Sequence, residues 1–124
     1  MLIVDDHAVI RRMLRGVLEA EKFQVSDAMD GAEGVRKALE LEPNLIILDL
    51  SMPVMNGLEA ARELKVVMPH VPLLMFTDNA GEVLEKEALS AGIFAVIRKS
   101  DSDSSKQLVA YATALLGLDG QVVQ

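Results

Sequence analysis

The sequence predicts an α/β protein with a doubly wound, five-stranded parallel sheet in a three-layer sandwich, and three observations lead to this prediction. Five short apolar segments alternate with five segments of helical periodicity along the 124 residues. Every connection between successive apolar segments is long enough for a helix, and such crossovers join parallel strands with a right-handed turn. Hydrophobic residues make up 51% of the chain, which is enough to bury a sheet on both faces.

The central strand is predicted at Leu45–Leu48, where four branched apolar residues follow one another. An uninterrupted run of this kind is typical of a strand buried on both faces. Asp49 stands where the run stops, at the edge where open α/β sheets bind their ligands. A turn ending in Asn56–Gly57 separates this strand from the next helical pattern.

The first half of the chain supplies two more strands and two helices. Residues 1–6, MLIVDD, form a short apolar strand ending in two acids, and residues 23–29 alternate in polarity as an edge strand does. Residues 7–20 place apolar side chains on one face of a helix, and a second helix over 31–41 stops before Pro43. The arginines between the apolar positions of the first helix are expected to face water: Arg11, Arg12 and Arg15.

The second half continues the same alternation to the end of the chain. Gly92 follows a helix as a C-terminal cap does, and the Ser/Asp cluster at 100–105 offers N-caps for the last helix. The predicted segments are a helix over 58–68, a strand over 71–76, a helix over 80–91, a strand over 93–97 and a last helix that reaches 116.

The composition argues against several classes of function. The net charge is −7 and no dense basic stretch offsets it, so binding to nucleic acid is not expected. No apolar run approaches the roughly 20 residues of a membrane span. The chain has no cysteine, which excludes disulfides and thiolate metal sites and fits a cytoplasmic protein.

Polar side chains follow four of the predicted strands, and in a parallel sheet these positions share one edge. They are Asp5 and Asp6, Asp49, Thr77 and Lys99. Carboxylates crowded together repel one another, and a divalent cation relieves that repulsion. With oxygen ligands alone on offer, Mg²⁺ is the expected ion. A lysine and a threonine beside it suit a phosphate, and aspartate is a known nucleophile toward phosphoryl groups.

Each of these residues also has a simpler interpretation. Asp5 and Asp6 are also explained as caps of the first helix, Thr77 as the N-cap of a helix from Asn79, and Lys99 as a solvated lysine. The position of Lys99 just before a helix start, where the helix dipole disfavours a cation, favours a specific partner. The two histidines, His7 and His70, are too isolated in sequence to form a metal pair and are expected at the surface.

The motifs together resemble the receiver domain of two-component response regulators. They are LIVDDH at 2–7, LDLSMPVMNG at 48–57, Thr77 and Lys99, in the same order and on the same elements as in that family. The resemblance covers residues 1–118 and leaves 119–124 as a C-terminal tail. It implies the flavodoxin-like strand order 2-1-3-4-5, for which a member of this family is a standard example. It also implies a signalling domain rather than an enzyme.

The resemblance implies a role for each matched residue. Asp49 would accept a phosphoryl group from the phosphohistidine of a sensor histidine kinase or phosphotransfer protein. Lys99 would contact the resulting acyl phosphate, and Thr77 would turn inward to bond a phosphate oxygen. The Mg²⁺ ligands, with Mn²⁺ as a substitute ion, would be Asp6 and Asp49 directly, Asp5 through water, and the backbone carbonyl of Ser51.

One departure from the family and two rival functions remain. Val96 occupies a position where relatives often carry an aromatic side chain, so the usual coupling of that ring to the threonine cannot operate. The expected docking or dimer surface is formed by the fourth helix, fifth strand and fifth helix. The rivals are a degenerate receiver that only binds partners, and an Asp-nucleophile phosphatase. Ser51 argues against the phosphatase, which needs an acid two residues after its nucleophile.

Overall fold

A computed structural model of the chain describes residues 1–78 and 81–117. Five strands and five helices alternate along these residues. The strands are β1 Leu2–Val4, β2 Ser26–Ala28, β3 Ile46–Leu48, β4 Leu73–Thr77 and β5 Ala95–Arg98. The helices are α1 Ala8–Ala20, α2 Gly31–Leu41, α3 Gly57–Val67, α4 Glu82–Ser90 and α5 Ser104–Leu116. The expected tail at 119–124 and its boundary at 118 lie outside the described residues.

The five strands form one parallel sheet in the order β2-β1-β3-β4-β5, which confirms the predicted fold class and strand order. β2 lies at an edge, as its alternating polarity indicated. Val4 pairs with Leu48, so β1 and β3 end level with each other. Leu48 in turn pairs with Met75, beyond which β4 continues for two residues to Thr77. The ladder continues one step further, because the N–H of Asp49 donates to the carbonyl of Val4 (2.9 Å). Asp5 and Asp49 therefore leave the sheet side by side.

The sheet separates two apolar clusters, one on each face. Alternate residues of β3 point to opposite faces of the sheet. Ile46 and Leu48 pack in the cluster that includes residues of α2 and α3, and Ile47 packs in the cluster that includes residues of α1 and α5. All three are at most 1% exposed, which confirms that this strand is buried on both faces. Full burial of a side chain of this size stabilises the fold by about 1.5–3 kcal/mol, so these clusters hold the strand ends in place.

The turn after β3 is fixed by the start of α3. Asn56 caps that helix by accepting the N–H of Glu59 (2.9 Å), and the Glu59 carboxylate accepts the N–H of Asn56 (3.0 Å), which completes a capping box. The N–H of Gly57 donates to the carbonyl of Leu50 (2.8 Å), so the helix start is tied back to the residue after Asp49. The loop that follows the central strand is thereby closed at both ends.

The helices within the described residues are all too short or too polar to cross a membrane. This agrees with the lack of a long apolar run in the sequence.

Candidate functional site

Three carboxylates and one imidazole converge at the carboxyl edge of the sheet. Ligand atoms of Asp5, Asp6, His7 and Asp49 all lie within 4.8 Å of one another. The side chain of Asp5 is 3% exposed and that of Asp49 is 4% exposed, whereas that of Asp6 is 32% exposed. The prediction that the strand ends bring these three acids together is confirmed.

Lys99 completes the cluster from the end of β5. Its Nζ lies 2.9 Å from Oδ2 of Asp5 and 3.3 Å from Oδ1 of Asp49, and its side chain is 9% exposed. The interpretation of Lys99 as a solvated lysine is therefore wrong. Its backbone N–H donates to the carbonyl of Thr77 (2.9 Å), which holds the residue in line with the end of β4. Three separate strand ends thus supply one buried ion-pair network.

The carboxylate of Asp49 is oriented from two sides. The N–H of Leu50 donates to Oδ1 (2.9 Å), and the Lys99 ammonium approaches the same oxygen. Burial raises the pKa of Asp49, the charge of Asp5 raises it further, and Lys99 partly offsets both effects. The negative charge at Asp49 is therefore held at a free-energy cost that an additional cation would relieve.

The pKa of Lys99 shifts for opposing reasons. Burial, the largest single effect, lowers it, but hydrogen bonding and charge from Asp5, together with those from Asp49, outweigh burial and leave the pKa above its ordinary value. Lys99 therefore stays a cation throughout the neutral range. A permanent positive charge beside Asp49 suits the binding of an anionic group there.

For Thr77 and Ser51 the structure gives the position and the exposure, but it does not test their expected roles. Thr77 ends β4 and is 1% exposed, next to Lys99 along the sheet edge. Its interpretation as an N-cap is wrong, because α4 begins at Glu82 with Gly81 in the capping position. Ser51 is exposed and lies two residues beyond Asp49. The contact of the Thr77 hydroxyl with a phosphate and the Ser51 carbonyl as a metal ligand remain predictions.

The helix-cap interpretation of the first two acids is only partly right. α1 has His7 as its N-cap residue, and Oδ1 of Asp5 accepts the backbone N–H of His7 (2.8 Å). Asp5 therefore does help to start the helix. The same carboxylate also pairs with Lys99, so capping and membership of the cluster coexist in one side chain.

His7 belongs to the site, which the sequence analysis did not foresee. Its Nδ1 lies 3.0 Å from Oδ1 of Asp5, 3.1 Å from Oδ1 of Asp6 and 3.9 Å from Oδ2 of Asp49. The expectation of a surface histidine is right about exposure, since the side chain is 60% exposed. The contacts of its ring with the three acids were not part of that expectation. The direct sequence signal was adjacency to two acids at a predicted strand end.

Arg11 is a second residue that the sequence analysis misplaced. It was expected to face water, but its side chain is only 15% exposed. Its NH1 donates to the carbonyl of Asp5 (2.7 Å), and its Nε lies 3.4 Å from Oδ2 of Asp27 in β2. Arg11 therefore supports the backbone of Asp5 and links α1 to β2.

The residues present fit a divalent cation. Three carboxylates and one ammonium carry a formal net charge of −2, and the carboxylate oxygens are the ligands that hard divalent ions prefer. At Asp49, burial and the charge of Asp5 outweigh Lys99, so the pKa of that carboxyl is raised. His7 adds one nitrogen to a set that the sequence had suggested was made of oxygen alone.

Comparisons with known proteins agree on one family. The sequence profile of the response regulator receiver domain matches residues 1–111. Protein-glutamate methylesterase/protein-glutamine glutaminase 5 of Geobacter metallireducens is 37% identical over 119 residues, which cover 94% of this chain and 33% of that protein. Transcriptional regulatory protein ResD of Bacillus subtilis is 36% identical over 116 residues, covering 94% of this chain and 47% of that protein. The chain thus spans from a third to about half the length of these two relatives.

A solved structure shows the same fold over nearly its whole length. A CheY-like response regulator receiver domain protein from Methanospirillum hungatei superposes with a TM-score of 0.85 at 28% identity. The match covers 97% of this chain and 95% of that one.

Proposed function

The chain belongs to the response regulator receiver domains. We propose that Asp49 accepts a phosphoryl group from the phosphohistidine of a partner protein. The observation that carries the proposal is the Lys99 ammonium 3.3 Å from Oδ1 of Asp49, inside a cluster of three acids. A lysine in that place stabilises a phosphoryl group on Asp49. The phosphorylated domain then acts as a signal to a downstream partner.

The transfer forms one bond and breaks one. An Asp49 oxygen attacks phosphorus and the P–N bond of the phosphohistidine breaks. The leaving imidazole keeps the electron pair and takes a proton from solvent water, which leaves the neutral ring. Charge in the loose transition state spreads over the phosphoryl oxygens, so positioning and positive charge matter more than a general base. Leu50 fixes the orientation of the Asp49 carboxylate, and Lys99 supplies a fixed positive charge.

We propose Mg²⁺ as the resident ion, with Mn²⁺ as a substitute. Asp6 and Asp49 would hold it directly, Asp5 through water, and the carbonyl of Ser51 would complete the protein ligands. When bound, the ion neutralises the charge that the carboxylates and phosphoryl oxygens bring together. The formal charge of −2 in the cluster and the raised pKa of Asp49 support this assignment.

The partners follow from the same chemistry. Receiver domains of response regulators interact with histidine kinases or phosphotransfer proteins, and we propose one of these as the phosphoryl donor. For output we propose docking or dimerisation through the surface of α4, β5 and α5. Val83 is 73% exposed and Phe94 is 56% exposed on this surface, and the Phe94 ring packs edge-on against Tyr111 with centroids 6.2 Å apart. A cytoplasmic location suits these partners and a chain without cysteine.

Two rivals are disfavoured by particular residues. A degenerate receiver would lack one of the acids or the lysine, whereas Asp5, Asp6, Asp49 and Lys99 form one cluster here. A phosphatase with an Asp nucleophile would need an acid at position 51, which is serine.

Incubation with Mg²⁺ and acetyl phosphate, followed by intact-mass spectrometry, separates the three functions. A receiver gains a single base-labile phosphoryl group that Asp49→Asn does not gain. A phosphatase consumes acetyl phosphate continuously without accumulating label. A binding module shows neither change, and that result would remove the proposed function.

A further inference from the structure

The ring of His7 stands at a spacing that suits a metal ligand. In an octahedral site with bonds of about 2.1 Å, adjacent ligand atoms lie about 3.0 Å apart and opposite ones about 4.2 Å apart. Nδ1 of His7 lies 3.1 Å from Oδ1 of Asp6, which matches a pair of adjacent positions. It also lies 3.0 Å from Oδ1 of Asp5, the carboxylate that would hold the ion through water. Its distance of 3.9 Å to Oδ2 of Asp49 approaches that of an opposite pair. One ion can therefore be shared by this nitrogen and the carboxylates.

The backbone holds the imidazole in this place. The N–H of His7 donates to Oδ1 of Asp5 (2.8 Å), and His7 is the residue that precedes α1. The side chain does not cap the helix, so Nδ1 is directed at the acids instead of at the helix N–H groups. The ring remains 60% exposed, which lets it adjust to an incoming ion without disturbing the core.

A nitrogen ligand changes which ions the site prefers. Mg²⁺ takes oxygen ligands and gains little from imidazole, whereas affinity for imidazole rises from Mn²⁺ through Co²⁺ to Ni²⁺. We propose that His7 determines the metal selectivity of this receiver, with its Nδ1 as an additional ligand that favours first-row transition ions over Mg²⁺. The proposal rests on the proposed function, because it concerns the same ion site.

Paired calorimetric titrations of the full chain with Mg²⁺ and with Ni²⁺, at one fixed pH, test the selectivity. The ratio of Ni²⁺ affinity to Mg²⁺ affinity is expected to fall by about tenfold or more in His7→Ala. His7→Asn should show the same fall, because asparagine is a good N-cap that preserves the helix start but offers no imidazole. His70→Ala, which removes the other histidine of the chain, should leave the ratio unchanged.

A spectroscopic measurement tests directly for the bond between the metal ion and the His7 nitrogen. Pulsed electron paramagnetic resonance of bound Mn²⁺ should show coupling to a ¹⁴N nucleus in the wild type and in His70→Ala, and none in His7→Ala. A wild-type spectrum without that coupling, or a Ni²⁺ to Mg²⁺ ratio within about twofold in both His7 variants, would overturn the proposal. Failure of both ions to bind would remove it together with the proposed metal site.

Failure of the selectivity proposal can be distinguished from failure of the proposed receiver function. If acetyl phosphate labels the wild type in Mg²⁺ but the affinity ratio ignores His7, the receiver function stands and the selectivity proposal falls. If the affinity ratio depends on His7 but the wild type accepts no phosphoryl group, the selectivity proposal stands and the receiver function falls.

Discussion

The ammonium of Lys99 lies 3.3 Å from Oδ1 of Asp49, and both side chains are more than nine-tenths buried. The same ammonium is also 2.9 Å from Asp5, so one cation serves two carboxylates. Burial and the charge of Asp5 consequently raise the pKa of Asp49 even though Lys99 opposes them. The fold thus keeps at its sheet edge a charge arrangement that is unfavourable for stability and suited to binding a cation and a phosphoryl group.

Asp49→Asn is expected to stabilise the metal-free protein at pH 7. Below pH 3.8, the ordinary pKa of this group, Asp49 is protonated in both the folded and unfolded states, and the variant should gain nothing. As the pH rises from 3.8 through the raised folded-state pKa, the unfolded chain ionises first and the wild type loses stability. The melting temperature of the variant should exceed that of the wild type at pH 7 by about 3–5 °C, which corresponds to about 1 kcal/mol.

Thermal unfolding at several pH values measures this difference. A variant less stable than the wild type at pH 7, or an advantage that persists at pH 3.5, would contradict the electrostatic account. Added Mg²⁺ should stabilise the wild type more than Asp49→Asn, because binding to the folded state alone raises stability.

Lys99→Met is expected to destabilise the protein at pH 7, whereas Asp49→Asn is expected to stabilise it. Lys99→Met preserves much of the side-chain volume but leaves Asp5 and Asp49 buried without their cation, so the free energy of unfolding at pH 7 should fall by about 1–3 kcal/mol. The loss should shrink as acid protonates the carboxylates. At the alkaline end the pKa of Lys99 itself decides: because it is raised, Lys99 is fully charged below pH 10.5, and its contribution is lost as the pH rises through the folded-state pKa.

Denaturant titration at pH 7 and pH 4 checks the prediction for Lys99. Lys106→Met, at an exposed lysine of α5, is the matched control and should change stability by less than about 0.5 kcal/mol. Equal effects of the two substitutions would show that the Lys99 pairs do not contribute to stability.

Gly57→Ala is expected to damage both stability and phosphoryl acceptance. A Cβ at Gly57 would collide with the carbonyl oxygen of Asp49 and lie 3.0 Å from Cε of Met75. The backbone below the acceptor would have to shift, with a loss of about 1–3 kcal/mol. Gly16→Ala is the control, because no atom lies within 4 Å of its added Cβ and alanine favours the interior of α1 by about 0.5–1 kcal/mol. Chemical denaturation of both variants measures the contrast, and a harmless Gly57→Ala would mean that the loop is looser than the structure shows.

Val54→Gly is expected to stabilise the same loop. Val54 has φ of 70°, a left-handed conformation that β-branched residues rarely adopt, and its side chain is 86% exposed. Glycine removes this strain with little loss of burial, although it also gives the unfolded chain more freedom. The expected net gain is about 0.5–1 kcal/mol in the free energy of unfolding. An unchanged or lower value would mean that the exposed valine is held without strain.

The fold and most of the site were predictable because they depend on periodicity and on where strands end. The unbroken apolar run before Asp49 indicated a central strand, and the parallel topology then required Asp5, Asp49 and Lys99 to meet at one edge. No detailed contact was needed for that inference, since the register of a parallel sheet carries it.

The residues that were misplaced depend on local contacts that periodicity does not describe. His7 turns toward the acids because its own N–H bonds to the Asp5 carboxylate, a contact within a three-residue loop. Helical spacing places Arg11 between apolar positions, but a long side chain reaches past its own face to the carbonyl of Asp5. Both errors concern where a flexible polar side chain finds its partner.

The most direct test of the central claim is to locate the phosphoryl group on the chain. After incubation with acetyl phosphate and Mg²⁺, borohydride reduction converts an aspartyl phosphate to homoserine, which peptide mass spectrometry assigns to a position. Homoserine is expected at position 49 alone, and none when Mg²⁺ is chelated. Homoserine at position 5 or 6, or no conversion at any aspartate, would contradict that claim.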